Sequence, residues 1–188
     1  MSVVLLLGWA AGFSACAGED KNKQEETAVA TVLEVDQLLS EAEQYIDQTV
    51  VVEAVCTHIC SHGGTKLFLM GSDDTKSIRV DAGDAIGSFP QEVVNAMVKI
   101  EGVVVEERID EAYLAKWEAD VAAEAAEQHG EDGEAGCASD MKASGEAPAN
   151  DVAERIANYR ARIAERTEKE GKAYVSLFHI VANKYEIL

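Results

Sequence analysis

The chain has 188 residues, 47% of them hydrophobic and 27% charged, and a formal net charge of −19. These proportions suit one globular domain with room for an insertion. A surface this acidic repels phosphate backbones, and 2 Trp, 4 Phe and 5 Tyr leave little for a stacking platform, so composition argues against a nucleic-acid partner.

The N-terminus reads as an address. In "MSVVLLLGWAAGFSAC" an apolar run from Val3 to Phe13 precedes small residues and a cysteine. The run is shorter than the ~20 residues a membrane-spanning helix needs, and its length suits the apolar region of a secretory signal. The ending "FSAC" resembles the lipobox of bacterial lipoproteins: Ser14, Ala15 and Cys16 fit, and Phe13 stands where Leu is usual. That resemblance implies a signal peptide over 1–15 and lipidation of Cys16. It also implies attachment to the membrane through that residue, in the bacterial cell envelope, facing the periplasm or the exterior. A polar tether over 16–31 follows, and residues 32–188 form the folded domain. Such a compartment permits disulfides, but with Cys16 lipidated an odd set remains: Cys56, Cys60 and Cys137.

Elements then follow in order. Val35, Leu38, Leu39, Ala42 and Ile46 recur at helical spacing and predict a helix over 32–46, with Asp36 or Ser40 as a local cap. "TVVVEAVCTHI" is rich in β-branched residues and predicts a strand; "HGG" turns it and "TKLFLMG" returns. "SDDTK" turns again into the strand "SIRVDAG". "FPQEVVNAM" predicts a short helix, with Pro90 suited to its first turn, and "VKIEGVVVEE" a fourth strand.

Ile109, Tyr113, Trp117, Val121 and Ala125 form one helical stripe, and Val152, Ile156, Tyr159 and Ile163 another. Together they predict a helical hairpin within an insertion at 109–172. Asp151 with Arg155 and Glu165 with Lys169 are spaced as helical ion pairs, and Gly171 ends the second helix. Residues 118–151 hold ten acidic residues and one Lys, a net of −9, so about 128–150 reads as a loosely structured acidic linker. "AYVSLFHIVANKYEIL" closes the chain as a fifth strand, bent near Asn183.

Three strands, a short helix, a fourth strand and a fifth is the element order of an OB-fold barrel. "IDQTVVVEAV" resembles that fold's first strand, with Ala54 at the bend where Gly is common, and "VKIEGVVVEE" resembles its fourth. The chain is thus similar to exported OB-fold lipoproteins of unassigned activity. The implied fold is mainly β with α: a five-stranded OB-fold-like barrel with an N-terminal helix and a helical-hairpin insertion between the fourth and fifth strands.

Function turns on "VCTHICSH". Cys56, His58, Cys60 and His62 occupy alternate positions, so an unbroken strand would put all four on one face. Thiolate and imidazole at this density suit zinc or copper. Neighbouring pairs on one face, about 6.5 Å apart, can share an ion. A turn at Gly63 and Gly64 would make His58, Cys60 and His62 the working trio, with His179 of the fifth strand as a fourth donor. The competing reading makes Cys56 a core residue in phase with Val50, Val52 and Ala54, and the histidines ordinary rim and turn residues.

The spacing matches no standard zinc module, haem attachment motif, nucleophile elbow or phosphate loop. The expectation is a non-enzymatic, lipid-anchored envelope module that needs no cofactor and binds a protein or small ligand. The alternative is a metal-binding envelope protein using the Cys/His cluster. An OB barrel with an exposed His also admits a redox or haem-carrying role, by fold analogy alone.

Overall fold

The structure, a computed structural model, describes residues 32–60, 63–128 and 136–188. The expected signal peptide and tether with Cys16, as well as His62 and the most acidic part of the linker, including His129, lie outside the described residues. Six strands are present: β1 (Val32–Leu33), β2 (Thr49–Ile59), β3 (Lys66–Met70), β4 (Ser77–Ala82), β5 (Met97–Asp110) and β6 (Tyr174–Ile187). Helices are α1 (Val35–Glu41), α2 (Glu111–Gln128), α3 (Ala138–Ala143) and α4 (Val152–Glu170), with 3-10 turns at Ala42–Gln44 and Gln91–Val93.

Five strands close on themselves. β2 pairs with β3, β3 with β4, β6 with β5, and β5 with β2, all antiparallel; β4 and β6 pair in parallel. β2 achieves closure by changing partner along its length. Residues Thr49 to Val55 lie beside β5, and Val55 to Ile59 lie beside β3, so Val55 has Met97 on one side and Met70 on the other. β1 adds in parallel outside the circuit, against Val51 and Val52. The OB-fold-like barrel expected from the element order is therefore present.

Alternation fills the barrel. Val50, Val52 and Cys56 of β2, Leu67 and Leu69 of β3, and Ile78 and Val80 of β4 share one core. Leu38 of α1 and Val93 of the second 3-10 turn join it, both without exposed surface. At roughly 1.5–3 kcal/mol per fully buried aliphatic side chain, this core is the main source of stability.

Several expected elements are shorter or start elsewhere. The helix predicted over 32–46 begins as β1 and is regular only over Val35–Glu41; Ile46 makes an isolated bridge to Val104. "FPQEVVNAM" contracts to one 3-10 turn because Val94 is extended and Asn95 has φ 64°, conformations that end a helix. Ile109 belongs to β5, opposite Val175, and the Asp110 carboxylate accepts the Tyr113 N–H at 2.8 Å to start α2. The acidic stretch is not all linker: Met141, 7% exposed, holds α3 against β3 and β4. Asp151 caps α4 through the Glu154 N–H (2.7 Å) instead of pairing with Arg155, whereas Glu165 and Lys169 do pair, at 2.6 Å.

The fifth strand bends where expected. Glu101 pairs with Lys184 and Gly102 with Ala182, so Asn183 is an extra residue in the ladder, a β-bulge. The insertion leaves the sheet at Asp110 and re-enters at Tyr174, which are paired neighbours. It folds back on the barrel through a second core of Ile109, Leu114, Val152, Ile156, Tyr159, Val175 and Leu177.

Asp36, in the first turn of α1, secures the turn between β3 and β4. Its carboxylate accepts the Ser72 N–H (2.6 Å) and hydroxyl (2.7 Å) and pairs with Lys76. Lys76 first, then Ser72, hold its pKa at about 2, below the ordinary 3.8. A depressed carboxylate pKa contributes stability that is present above the unfolded value and lost as pH falls through the folded one. In thermal melts the advantage of wild type over Asp36→Asn should therefore be full above about pH 4 and vanish towards pH 2. An advantage independent of pH would refute this role.

Candidate functional site

The Cys/His run of β2 is split by a bulge. Cys56 pairs with Leu69 and His58 with Phe68, leaving Thr57 as the extra residue. Cys56, fully buried, and Ile59, 5% exposed, both face the core although three positions apart, so the alternation slips by one residue between them. The expected common face for Cys56 and His58 is thereby lost: Cys56 points into the barrel and His58 out of it. Burial raises the Cys56 thiol pKa, and the thiol donates to the His58 carbonyl at 3.5 Å. Cys60 ends the strand in a turn, its N–H donating to the Lys66 carbonyl at 2.9 Å, with Gly63 at φ 79° and Gly64 at φ 65° beyond it.

His179 does not approach this end of β2. β6 pairs with β4 and β5, not with β2, so the expected fourth donor stands away from the trio. Across the wall His58 lies opposite Phe68, Phe68 opposite Arg79, and Arg79 opposite His179. Three strand spacings of about 4.8 Å separate the two histidines by about 14 Å, beyond any shared ion. Among the described residues no three His, Cys, Asp or Glu side chains converge as a metal site.

What His179 joins is a polar cluster on the outer barrel wall. The residue is 8% exposed; its Nε2 lies 3.7 Å from Asp81 Oδ2, and its Nδ1 is buried without a hydrogen bond. Burial and then the Arg79 charge lower its pKa, so the ring is neutral at pH 7. Arg79 sits beside it with carboxylates on three sides: Asp81 at 3.0 Å, Glu107 at 3.4 Å and Asp140 of α3 at 3.4 Å. The Asp81 contact is close but lacks hydrogen-bond alignment at Arg79 Nε.

The cluster continues into the insertion. Glu146 holds Arg155 with two contacts, 2.5 and 2.7 Å, and accepts the Tyr159 hydroxyl at 2.5 Å. Burial, then the hydrogen bond to Glu146, raises the Tyr159 pKa, so it remains a donor. Arg155 also reaches Asp140 at 3.6 Å, and its guanidinium carbon lies 5.2 Å from the Trp117 ring centre. Tyr113 donates to Glu107 at 3.2 Å. These contacts join β4 and β5 to all three insertion helices around a cleft of about 190 Å³, lined by Lys66, Arg79, Tyr113, Trp117, Asp140 and Arg155 among others. The cleft lining itself holds three cations, Lys66, Arg79 and Arg155, and two carboxylates, Glu107 and Asp140, while Asp81 and Glu146 pair with Arg79 and Arg155 from outside it.

Sequence reasoning missed this cluster. Arg79 and Asp81 alternate with Ile78 and Val80 in "SIRVDA", which marks them as outward-facing, but nothing local indicates that the chain returns to cover them. Glu146 and Arg155 are nine positions apart and meet only because a loop separates α3 from α4.

No family model and no curated protein matches the chain. Among solved structures it is similar to a chain described as an aspartyl-tRNA synthetase from Leishmania major Friedlin, at 20% identity and a TM-score of 0.30. That match covers 46% of this chain and 18% of the other. It is also similar to the aspartyl-tRNA synthetase of Entamoeba histolytica, at 15% identity and a TM-score of 0.32, over 57% of this chain and 24% of that one. The chain thus spans a quarter or less of these proteins.

Proposed function

We propose that the protein is a lipid-anchored, non-enzymatic binding module of the bacterial cell envelope, tethered through Cys16 and engaging a protein or small ligand at the cleft between barrel and insertion. The observation that carries this reading is the fastened insertion. Ion pairs and a shared core hold α2, α3 and α4 in one place on the barrel wall, and a binding surface gains affinity from such preorganisation. The chain's net charge of −19 disfavours nucleic acid as that partner.

Two measurements test the two halves. Labelled palmitate should enter the wild-type chain in bacteria and not Cys16→Ser; unlabelled wild type refutes the anchor. A photo-crosslinking residue at position 113, where Tyr113 is 42% exposed at the cleft, should give a discrete adduct in cell envelopes. Excess purified chain should compete that adduct away, and salt should weaken it. Adducts that excess chain does not displace refute the binding role.

A further inference from the structure

We propose that His58 and Cys137 form a site for one cuprous ion at the seam between barrel and insertion. Cys137 Sγ lies 3.5 Å from His58 Nε2, across 79 positions of sequence. One donor stands near the end of β2 and the other immediately before α3, so only the docking of the insertion brings them together. Metal–sulfur bonds of about 2.3 Å and metal–nitrogen bonds of about 2.0 Å, opened by roughly 110–120°, separate their donors by about 3.5–3.7 Å. The pair already stands at that separation.

Both donors are held from behind. The His58 ring packs against Phe68, centroids 5.7 Å apart, and Phe68 is fully buried. Phe68 alternates with Leu67 and Leu69 of the barrel core and so faces outward, where α3 covers it. Cys137 is fixed by the helix it precedes, through buried Met141 and the Asp140–Arg79 pair. A site supported in this way does not have to order its ligands when the ion arrives.

The donors select the metal. Thiolate with imidazole suits zinc or copper and not calcium or magnesium. Structural zinc closes its shell with four protein ligands, and among the described residues no third His, Cys, Asp or Glu joins this pair. Cuprous ion accepts low coordination and soft donors. A cavity of about 300 Å³ opens beside His58, and its lining includes Met70, a residue whose thioether is the class of soft donor still missing. Loading replaces the Cys137 thiol proton, which leaves to solvent, and uses the lone pair of neutral His58 Nε2. The ion stays cuprous and no electron moves. Neither His58 nor Cys137 lines the polar cleft, and a copper titration reads this pair without reference to the anchor or the partner.

The full chain in a Cys16→Ser background, kept anaerobic, is titrated with Cu(I) against the chromophoric chelator bathocuproine disulfonate. One equivalent should bind. Cys137→Ser and His58→Leu, each shown to melt cooperatively, should each weaken binding by about 100-fold or more, while Cys60→Ser and His179→Ala should not. Unchanged affinity in Cys137→Ser or His58→Leu overturns the proposal. So does equal loss in Cys60→Ser, or a zinc affinity matching that for Cu(I).

Discussion

Replacing Glu146 by alanine should loosen the insertion from the barrel and lower stability by about 3–5 kcal/mol, the usual cost of removing one partner of a buried ion pair. The Glu146 side chain is 1% exposed, and it serves both Arg155, 12% exposed, and the Tyr159 hydroxyl. Without it the guanidinium loses its bidentate partner while remaining largely out of water. Asp140, at 3.6 Å and already engaged by Arg79, is too far to replace it. Glu146→Gln keeps the size and an acceptor for Tyr159 but not the charge, so its loss should be about 1–3 kcal/mol. Denaturant unfolding measures both, and limited proteolysis should cut Glu146→Ala first between residues 111 and 173. A change under about 1 kcal/mol, with unaltered cleavage, would show that the shared apolar core alone holds the insertion.

Gly102→Ala should destabilise the barrel itself, by about 3 kcal/mol or more. A Cβ at this position would lie 2.4 Å from the Val181 carbonyl oxygen and 2.8 Å from Ala182 Cα. Both are backbone atoms, so the clash cannot be relieved by turning a side chain. They belong to the segment of β6 just before the Asn183 bulge, where the ladder with β5 shifts register. For a domain of this size the loss corresponds to a fall in melting temperature of roughly 6–12 °C. Gly87→Ala is the contrasting case. With φ 71° and nothing within 4 Å of the new methyl, it should cost only about 1 kcal/mol of backbone strain. Equal effects at the two positions would rule out close approach as the reason for Gly102.

The barrel was legible in the sequence because each strand states its own period. Val50, Val52 and Ala54, and Leu67 with Leu69, announce an inward face locally. The extent of β2, Thr49–Ile59, coincides with the predicted run, and the bend at Asn183 fell where "VAN" interrupts the pattern. The bulge at Thr57 was not legible, since "AVCTHI" continues to alternate and only the pairing with β3 shows the slipped residue. That one residue separated Cys56 from His58. The candidate site was still less legible. Cys137 stood in an acidic stretch whose only strong apolar anchor is Met141, and its approach to His58 depends on how the insertion docks. The sequence offered His58 as one of a trio with Cys60 and His62, and left Cys137 among the odd set of cysteines.

The position of β6 as the last element has a consequence for how the chain folds. It is the strand that joins β4 to β5, and its 14 residues supply every hydrogen bond across that gap. Until they emerge, β2, β3, β4 and β5 form an open sheet with two bare edges, and the whole insertion must be synthesised first. Loop closure over such a distance slows barrel formation, since non-local pairing bears its entropic cost before contacts reward it. The barrel is therefore complete only once β6 has paired with both β4 and β5, and the four strands before it keep two open edges until then.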